Sequence, residues 1–530
     1  MKLKKLRISD AKGFEDFCID FDLNSPITTI IGQNGVGKSN LIELIVSIFR
    51  AIDLGELTNF SYSLTYECRS HELEVIFDAS NASQSLVLID GIKRSFTFLK
   101  NNANEYLPLN IFTYYSGTNL RVESLFLKHQ TRFYEALTKG DDRLMRRFFY
   151  CREEHGFFVL LAFLVDDELA CKELLAKLNI GSIDSVLFCL KKPYWYKSKP
   201  NDIMLDEGDP RFWYARGVVK DFLGKLWECA IAPIDNTERK TIDFRGRTES
   251  QERLYLYLSD KESLKKLASN YPDTTTLFKN IESTYIADLL EDVQVTLNTS
   301  DGKKLTFSAL SEGERQLLTV LGLMKFTRND ESLFLLDEPD THLNPRWKLD
   351  YFDQIKRILN HKIEGSSSTA WDSSQIILTT HDPLMLTSLR ADQIRVISLQ
   401  ENGRKTATLP DEDPVNLGVE AIIQSELYGI RTSLDKDLQH KIDLRNRLSS
   451  QYEISGKPLE KLKSLNRELD AIGVQYAHPN PYFSNFAKAI SRNPLFRRPE
   501  FTSEEYEAMQ TLSDKILSEL IDEEGEDDKN

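Results

Sequence analysis

Hydrophobic and polar positions alternate at period two through the first part of the chain, most plainly in Glu72-Leu73-Glu74-Val75-Ile76-Phe77, where Leu73, Val75 and Phe77 share one face of a strand. This strand-like pattern runs from Leu3 to Tyr114 and is interrupted by one helical pattern that starts at Lys38. From about 125 to 280 the periodicity turns helical and aromatic, as in Phe157 to Leu175, with short strand candidates around Val186 to Leu190. Strand signals return at Val293 to Leu297, Leu333 to Leu336 and Gln375 to Thr380, separated by helical segments. That alternation predicts a parallel sheet covered by helices. Beyond about 425, Asp435 to Tyr452 and Pro458 to Ile472 read as a hairpin of charged amphipathic helices, broken at Gly456-Lys457-Pro458.

The pattern predicts an α/β chain in four parts. Residues 1–124 and 285–425 form the two halves of a head with a mixed β subdomain and a parallel sheet, 125–284 a mainly helical insertion, and 426–530 a helical extension with an acidic tail. Gly365-Ser366-Ser367-Ser368-Thr369 reads as a surface loop. At 530 residues, 41% hydrophobic and 28% charged, the composition is that of globular domains and excludes wholesale disorder or collagen-like repeats. The longest wholly apolar run, Phe157 to Val165, is far shorter than the roughly 17 to 25 residues of a membrane-crossing helix, so no membrane association is expected. Six scattered cysteines without a C-x-x-C pair, and an N-terminus without a leader-like apolar stretch, predict reduced thiols in the cytoplasm.

The net charge of −15 argues against a surface that coats nucleic acid generally, though not against a local basic groove. Candidates for such a groove are Arg143, Arg146 and Arg147, spaced for one helical face beside Phe148, Phe149, Tyr150 and Arg152, and Arg492, Arg497 and Arg498 near Phe496. Runs of this kind are commonly solvated surface.

The strongest chemical signal is Gly32-Gln33-Asn34-Gly35-Val36-Gly37-Lys38-Ser39, preceded by the strand-like Ile27 to Ile31 and followed by a helical run from Asn40. Glycines let backbone N–H groups turn around an anion, the helix start adds positive potential, Lys38 reaches the terminal phosphates and the Ser39 hydroxyl suits Mg²⁺. A second signal is the apolar run Leu333 to Leu336 ending in Asp337 and Glu338. Two carboxylates past a core strand are costly unless a cation meets them. Asp337 suits Mg²⁺, and Glu338 can polarise a water for attack on a γ-phosphate. A third is Ser311-Glu312-Gly313-Glu314 opening an apolar helix; taken alone, Ser311 and Glu314 could be a capping box. The fourth is His381 after the strand Gln375 to Thr380, a position that by itself is equally a structural turn.

In this order, phosphate loop, S-x-G-E helix, L-L-D-E strand and strand-terminal histidine, the chain resembles ATP-binding-cassette (ABC) ATPases over residues 1–120 and 285–425. The resemblance implies ATP and Mg²⁺ as ligands and a homodimer, or a higher oligomer of dimers, in which Ser311 and Gly313 of one copy meet the γ-phosphate held by the other, with Glu314 and Asn40 also among the nucleotide-binding residues. It also implies a γ-phosphate-sensing role for His381 and a coupling role for Asp340 to Pro345. One departure is the segment Tyr115 to Asn119, which has no glutamine where the family supplies one for Mg²⁺ and lid contacts. The S-E-G-E-R signature and the long stretch between Ser39 and Leu310 are similar to the non-transport branch related to SMC and DNA-repair ATPases. Within that branch the Tyr114-Tyr115-Ser116-Gly117 segment, the short insertion and the helical extension around Tyr482 to Phe501 resemble the PtuA family, the ATPase subunits of Septu antiphage systems, including copies beside retrons. Membership would imply a separate PtuB-like HNH nuclease partner and, beside a retron, a reverse transcriptase with its RNA/DNA product. Contrasting expectations are a non-hydrolytic assembly module and a repair ATPase acting directly on DNA.

Overall fold

The computed structural model describes residues 1–21, 24–81, 85–117, 120–142, 146–197, 199–241, 244–328, 331–360, 369–400, 402–415, 417–428, 430, 435–449, 455–471, 508–513 and 515. The chain opens with β1 (Lys2–Ala11), β2 (Phe14–Asp20) and β3 (Ile27–Ile31) and turns into the helix Lys38–Leu54. It continues through β4 (Tyr62–Cys68), β5 (His71–Phe77), β6 (Leu86–Ile89) and β7 (Ile92–Arg94) to β8 (Asn110–Tyr115) and β9 (Phe148–Tyr150). Next come β10 (Ile180–Lys191), β11 (Ile231–Thr241), β12 (Thr248–Leu258), β13 (Leu290–Thr299) and β14 (Lys304–Thr306). After the helix Glu312–Thr327 follow β15 (Ser332–Asp337), β16 (Gln375–Thr379), β17 (Ile394–Leu399) and β18 (Lys405–Thr408).

Three sheets result, confirming an α/β head. The first is antiparallel, in the order β2-β1-β4-β5-β6-β7. The second runs β18-β17-β3-β16-β15-β8-β9 and is parallel except for the β17–β18 pair. Every residue of β3, β15 and β16 is buried, as expected for central parallel strands covered on both faces. The helix Lys38–Leu54 is apolar nearly all round, burying Leu41, Ile42, Leu44, Ile45, Val46, Ile48, Phe49 and Ile52, which requires cover on every side. It gets that cover from a core shared with β1, β4 and β5 of one sheet and with β8, β15 and β16 of the other.

The third sheet changes the picture of residues 125–284. β10, β11 and β12 pair with β13 and β14 in the antiparallel order β11-β12-β10-β13-β14, so the segment is not simply a helical insertion. β13, expected in the parallel sheet, belongs here. The strand candidate at Val186 to Leu190 is the second half of β10, and two physical reasons hid the rest. The alternation of β10 is broken by register shifts between Ile180 and Ser182 and between Ile183 and Ser185. Much of β11 is polar, as in Asp235-Asn236-Thr237-Glu238, and carries no hydrophobic period. β9 also lies within 125–284, yet it extends the parallel sheet beside β8.

The arginines offered as a basic helical face are taken up elsewhere. Arg146 pairs with Glu282 at 2.6 Å in the interior, Arg147 with Asp53 at 2.9 Å, and Arg152 with Glu123 at 2.7 Å. They precede or follow β9, so helical spacing does not apply. Arg143, Thr118 and Asn119, the loop residues 365–368, the aromatic and arginine cluster from Tyr482 to Arg498 and the acidic tail lie outside the described residues.

A second compact unit takes the described residues of 386–391 and of 409 onward, beginning ahead of the expected residue 426. Its described helices include Lys436–Ser449 and Lys457–Ala471, joined by a Lys441–Glu468 ion pair. Among the described residues no helix is long and apolar enough to cross a membrane.

The helix Glu312–Thr327 is tied to the 125–284 segment by a buried ammonium. Lys325 Nζ lies 2.6 Å from Asp166, 3.1 Å from Glu168 and 3.2 Å from Cys171 Sγ. Asp166, Glu168 and Cys171 are close enough together to hold a metal, but the ammonium already supplies the compensating charge. Lys325→Met leaves Asp166 buried without its cation and is expected to destabilise the chain by about 3–5 kcal/mol in urea unfolding. Wild-type stability in that variant would contradict a buried tie.

Candidate nucleotide site

The order β3-β16-β15 places the three motif-bearing strands side by side, all parallel. Their carboxyl ends share one edge, where open α/β sheets bind ligands. The loop after β3 turns through Gly32, Gly35 and Gly37, with φ of 152°, 85° and 104°. A side chain at Gly32 would put its Cβ 2.4 Å from the Ile397 carbonyl oxygen, so the turn needs glycine there. Gly37 caps the helix Lys38–Leu54 without a side-chain hydrogen bond, which leaves the first-turn N–H groups of a long helix to an anion. Val36 N donates to Gln33 O across the loop, and Asn40 Nδ2 to Lys12 O at 3.0 Å. Lys38 Nζ donates to Gly32 O at 2.9 Å, and burial lowers its pKa against the opposing pull of Glu338 and Asp337.

Asp337 ends β15 only 2% exposed. Thr379 Oγ1 donates to its carboxylate at 2.6 Å, and the Ser39 side chain also hydrogen-bonds to it. Burial raises its pKa, and these hydroxyls only partly offset that. A desolvated carboxylate with hydroxyl partners, beside a phosphate loop, has the donor chemistry of a hard divalent cation site. Ser39 and Asp337 therefore fit Mg²⁺.

Glu338, the next residue, adopts φ 48°, a left-handed backbone that is uncommon outside glycine and recurs at functional positions. Its N–H donates to Thr379 O at 3.1 Å, and its carboxylate lies 3.2 Å from His381 Nδ1. Both side chains are partly exposed, so this acid–imidazole pair faces solvent at the edge where Lys38 and Asp337 lie.

The signature residues form a second cluster. Ser311 and Glu314 do make the capping box, with Ser311 N donating to Glu314 Oε2 at 2.8 Å. Gly313 packs so closely on the segment after Glu338 that a Cβ there would lie 2.3 Å from His342 O. Glu312 pairs with His342 at 3.3 Å, and Gln316 Nε2 donates to Pro339 O at 2.8 Å. Asp340, buried in the same segment with its pKa raised by burial, accepts from Thr380 at 3.0 Å. No hydrogen bond or ion pair among the described residues joins Ser311, Gly313 or Glu314 to residues 32–40. The chain thus holds a phosphate-loop set and a signature set, linked through the residues that follow Glu338.

Arg121 was not legible in the sequence. Tyr115 ends β8 in register with Asp337, in the place where a glutamine is absent. The Arg121 guanidinium lies 5.4 Å from the centroid of the Tyr115 ring, donates to Asn40 Oδ1 at 3.0 Å and opposes the rise in the Asp337 pKa. No motif marks it; only the fold brings it here.

Residues 213–387 match a family profile described as "AAA domain, putative AbiEii toxin, Type IV TA system", a span that contains the signature, the Asp337–Glu338 strand and His381. The chain is 25% identical over 164 residues to the "Retron Vc95 probable ATPase" of Vibrio cholerae, covering 31% of this chain and 27% of that protein. It is 26% identical over 216 residues to the Septu protein PtuA of Bacillus mycoides, covering 38% and 28%. Over these stretches the chain resembles PtuA-like ATPases of the ABC/SMC type. It spans little more than a quarter of the length of these curated relatives. A stretch of 115 residues is 35% identical to the chromosome partition protein Smc of Halothermothrix orenii, 8% of that protein. Among solved structures, the SMC head domain from Thermotoga maritima aligns over 77% of this chain at 13% identity and a TM-score of 0.32, adding nothing to the topology described above.

Asp337 sets a stability test. Because its folded pKa lies above the unfolded value, ionisation weakens the fold as pH rises from the ordinary aspartate range through the raised value. Asp337→Asn should therefore melt higher than wild type at about pH 7.5 without nucleotide, and the gain should vanish near about pH 4. A gain of the same size at both pH values would contradict a buried charge that is only partly compensated.

Proposed function

We propose that the chain binds ATP with Mg²⁺ and hydrolyses it between two copies of itself, and that its nucleotide state governs a partner nuclease in bacterial antiphage defence. The observation that carries the reading is the Glu338–His381 pair beside Lys38 and the buried Asp337. Lys38 binds the terminal phosphates. Mg²⁺ held by Ser39 and Asp337 would neutralise phosphate charge. Glu338 accepts the proton of the attacking water, and His381, 3.2 Å away, holds that carboxylate in place and can reach the γ-phosphate. Gly32, Gln33, Asn34, Gly35, Val36 and Gly37 wrap the phosphates with backbone N–H groups, and Asn40 braces the helix start against Lys12. Ser311, Gly313 and Glu314 face the nucleotide of the second copy, and the packing of Gly313 on His342 is a route by which one site senses the other.

The defence role rests on similarity to proteins named Septu PtuA and retron ATPase. The partner proposed with that role is a PtuB-like HNH nuclease, with a reverse transcriptase and its RNA/DNA product in a retron setting. A non-hydrolytic assembly module would bind ATP without turnover, and a DNA-repair ATPase would be stimulated by DNA alone.

Glu338→Gln keeps the side-chain size and removes the base. Turnover should fall by about 10² to 10⁴-fold while ATP still binds and roughly doubles the mass in solution. Persistent hydrolysis together with an unchanged mass would overturn both the base and the two-copy site.

A further inference from the structure

Lys405, on β18, brings an amine to the rim of the phosphate loop. Its Nζ lies 4.6 Å from the centroid of the Phe14 ring. A Cβ added at Gly13, in the β1–β2 turn, or at Gly37, the last glycine of the loop, would come within 3.2 Å of that nitrogen. Both glycines have positive φ, 79° and 104°, so both positions disfavour side chains and leave the amine against bare backbone. Phe14 beneath it is fully buried. Burial lowers the Lys405 pKa and no acidic neighbour opposes the shift. Among the described residues no carboxylate pairs with Lys405.

A partly desolvated ammonium costs free energy unless an anion meets it, and surface lysines elsewhere on this chain do find acids, as Lys4 finds Glu72 and Lys192 finds Glu252. Lys405 is instead aligned with a loop built to hold phosphates. We propose that Lys405 is a phosphate-contact residue for the nucleoside end of the bound nucleotide, at the α-phosphate rather than the γ-phosphate. This deepens the ATP-binding reading above and rests on it. The direction follows from the two lysines. Lys38 Nζ lies over the start of the loop at Gly32, under the pull of Asp337 and Glu338, and marks the terminal-phosphate end. Lys405 lies at the other end, beside Gly37 and the β1–β2 turn. A polyphosphate cradled by the loop N–H groups spans the two.

The test is calorimetric titration of the full chain with ATP and with ADP, for wild type, Lys405→Gln, Lys405→Arg and Lys38→Ala, with melting curves taken without nucleotide. Lys405→Gln should weaken ATP and ADP by the same factor, about tenfold. Lys405→Arg should recover most of the affinity, and Lys38→Ala should lose more for ATP than for ADP. Wild-type affinities in Lys405→Gln, or a loss confined to ATP, would overturn the assignment. A lowered melting temperature with unchanged affinities would make Lys405 a strut on Phe14 and also overturn it. Failure of the wild-type chain to bind either nucleotide would sink the ATP-binding reading itself, which is distinguishable from failure of Lys405 alone.

Discussion

A carboxylate buried at the end of a wholly buried strand has to be compensated, and Asp337 is met only in part, by the hydroxyls of Thr379 and Ser39 and the field of Arg121. Much of the site follows from that constraint. Thr379 holds Asp337 with its side chain and receives the Glu338 N–H with its carbonyl, so β16 fixes both acids. Ser39 reaches Asp337 because β3 lies next to β16 and β16 next to β15. The parallel order therefore sets which residue types can meet at the edge, and the loop glycines set how close an anion can come.

The signature cluster is positioned by different forces. Its helix Glu312–Thr327 is anchored in the interior by Lys325 and the acids of the 125–284 segment, while its start is fixed by the capping box and by Gly313 packed on the His342 carbonyl. The segment between the two head halves thus contributes a strand to the parallel sheet and an ion pair to the signature helix. That integration explains why it cannot be treated as an appended arm.

The parts legible in the sequence were those governed by local rules. The loop between β3 and its helix, the L-L-D-E strand and the cap at Ser311 each depend on residues within a few positions, and the structure forms all three where expected. Long-range pairing was not legible. β13 has a clean alternation yet joins the third sheet, because alternation does not encode the partner strand. Arg146 and Arg147 looked like a helical face because spacing says nothing about Glu282 and Asp53, far away in sequence. Arg121 and Lys405 carry no motif and reach the site only because β8 and β18 belong to the sheet that holds the loop.

The central claim, that this edge is a Mg²⁺-nucleotide site built around Asp337, is tested most directly by titrating the unmodified chain with ATP in Mg²⁺ and again in chelator. The account predicts one ATP per chain, bound more tightly when Mg²⁺ is present. No binding, or the same affinity with and without Mg²⁺, would contradict it.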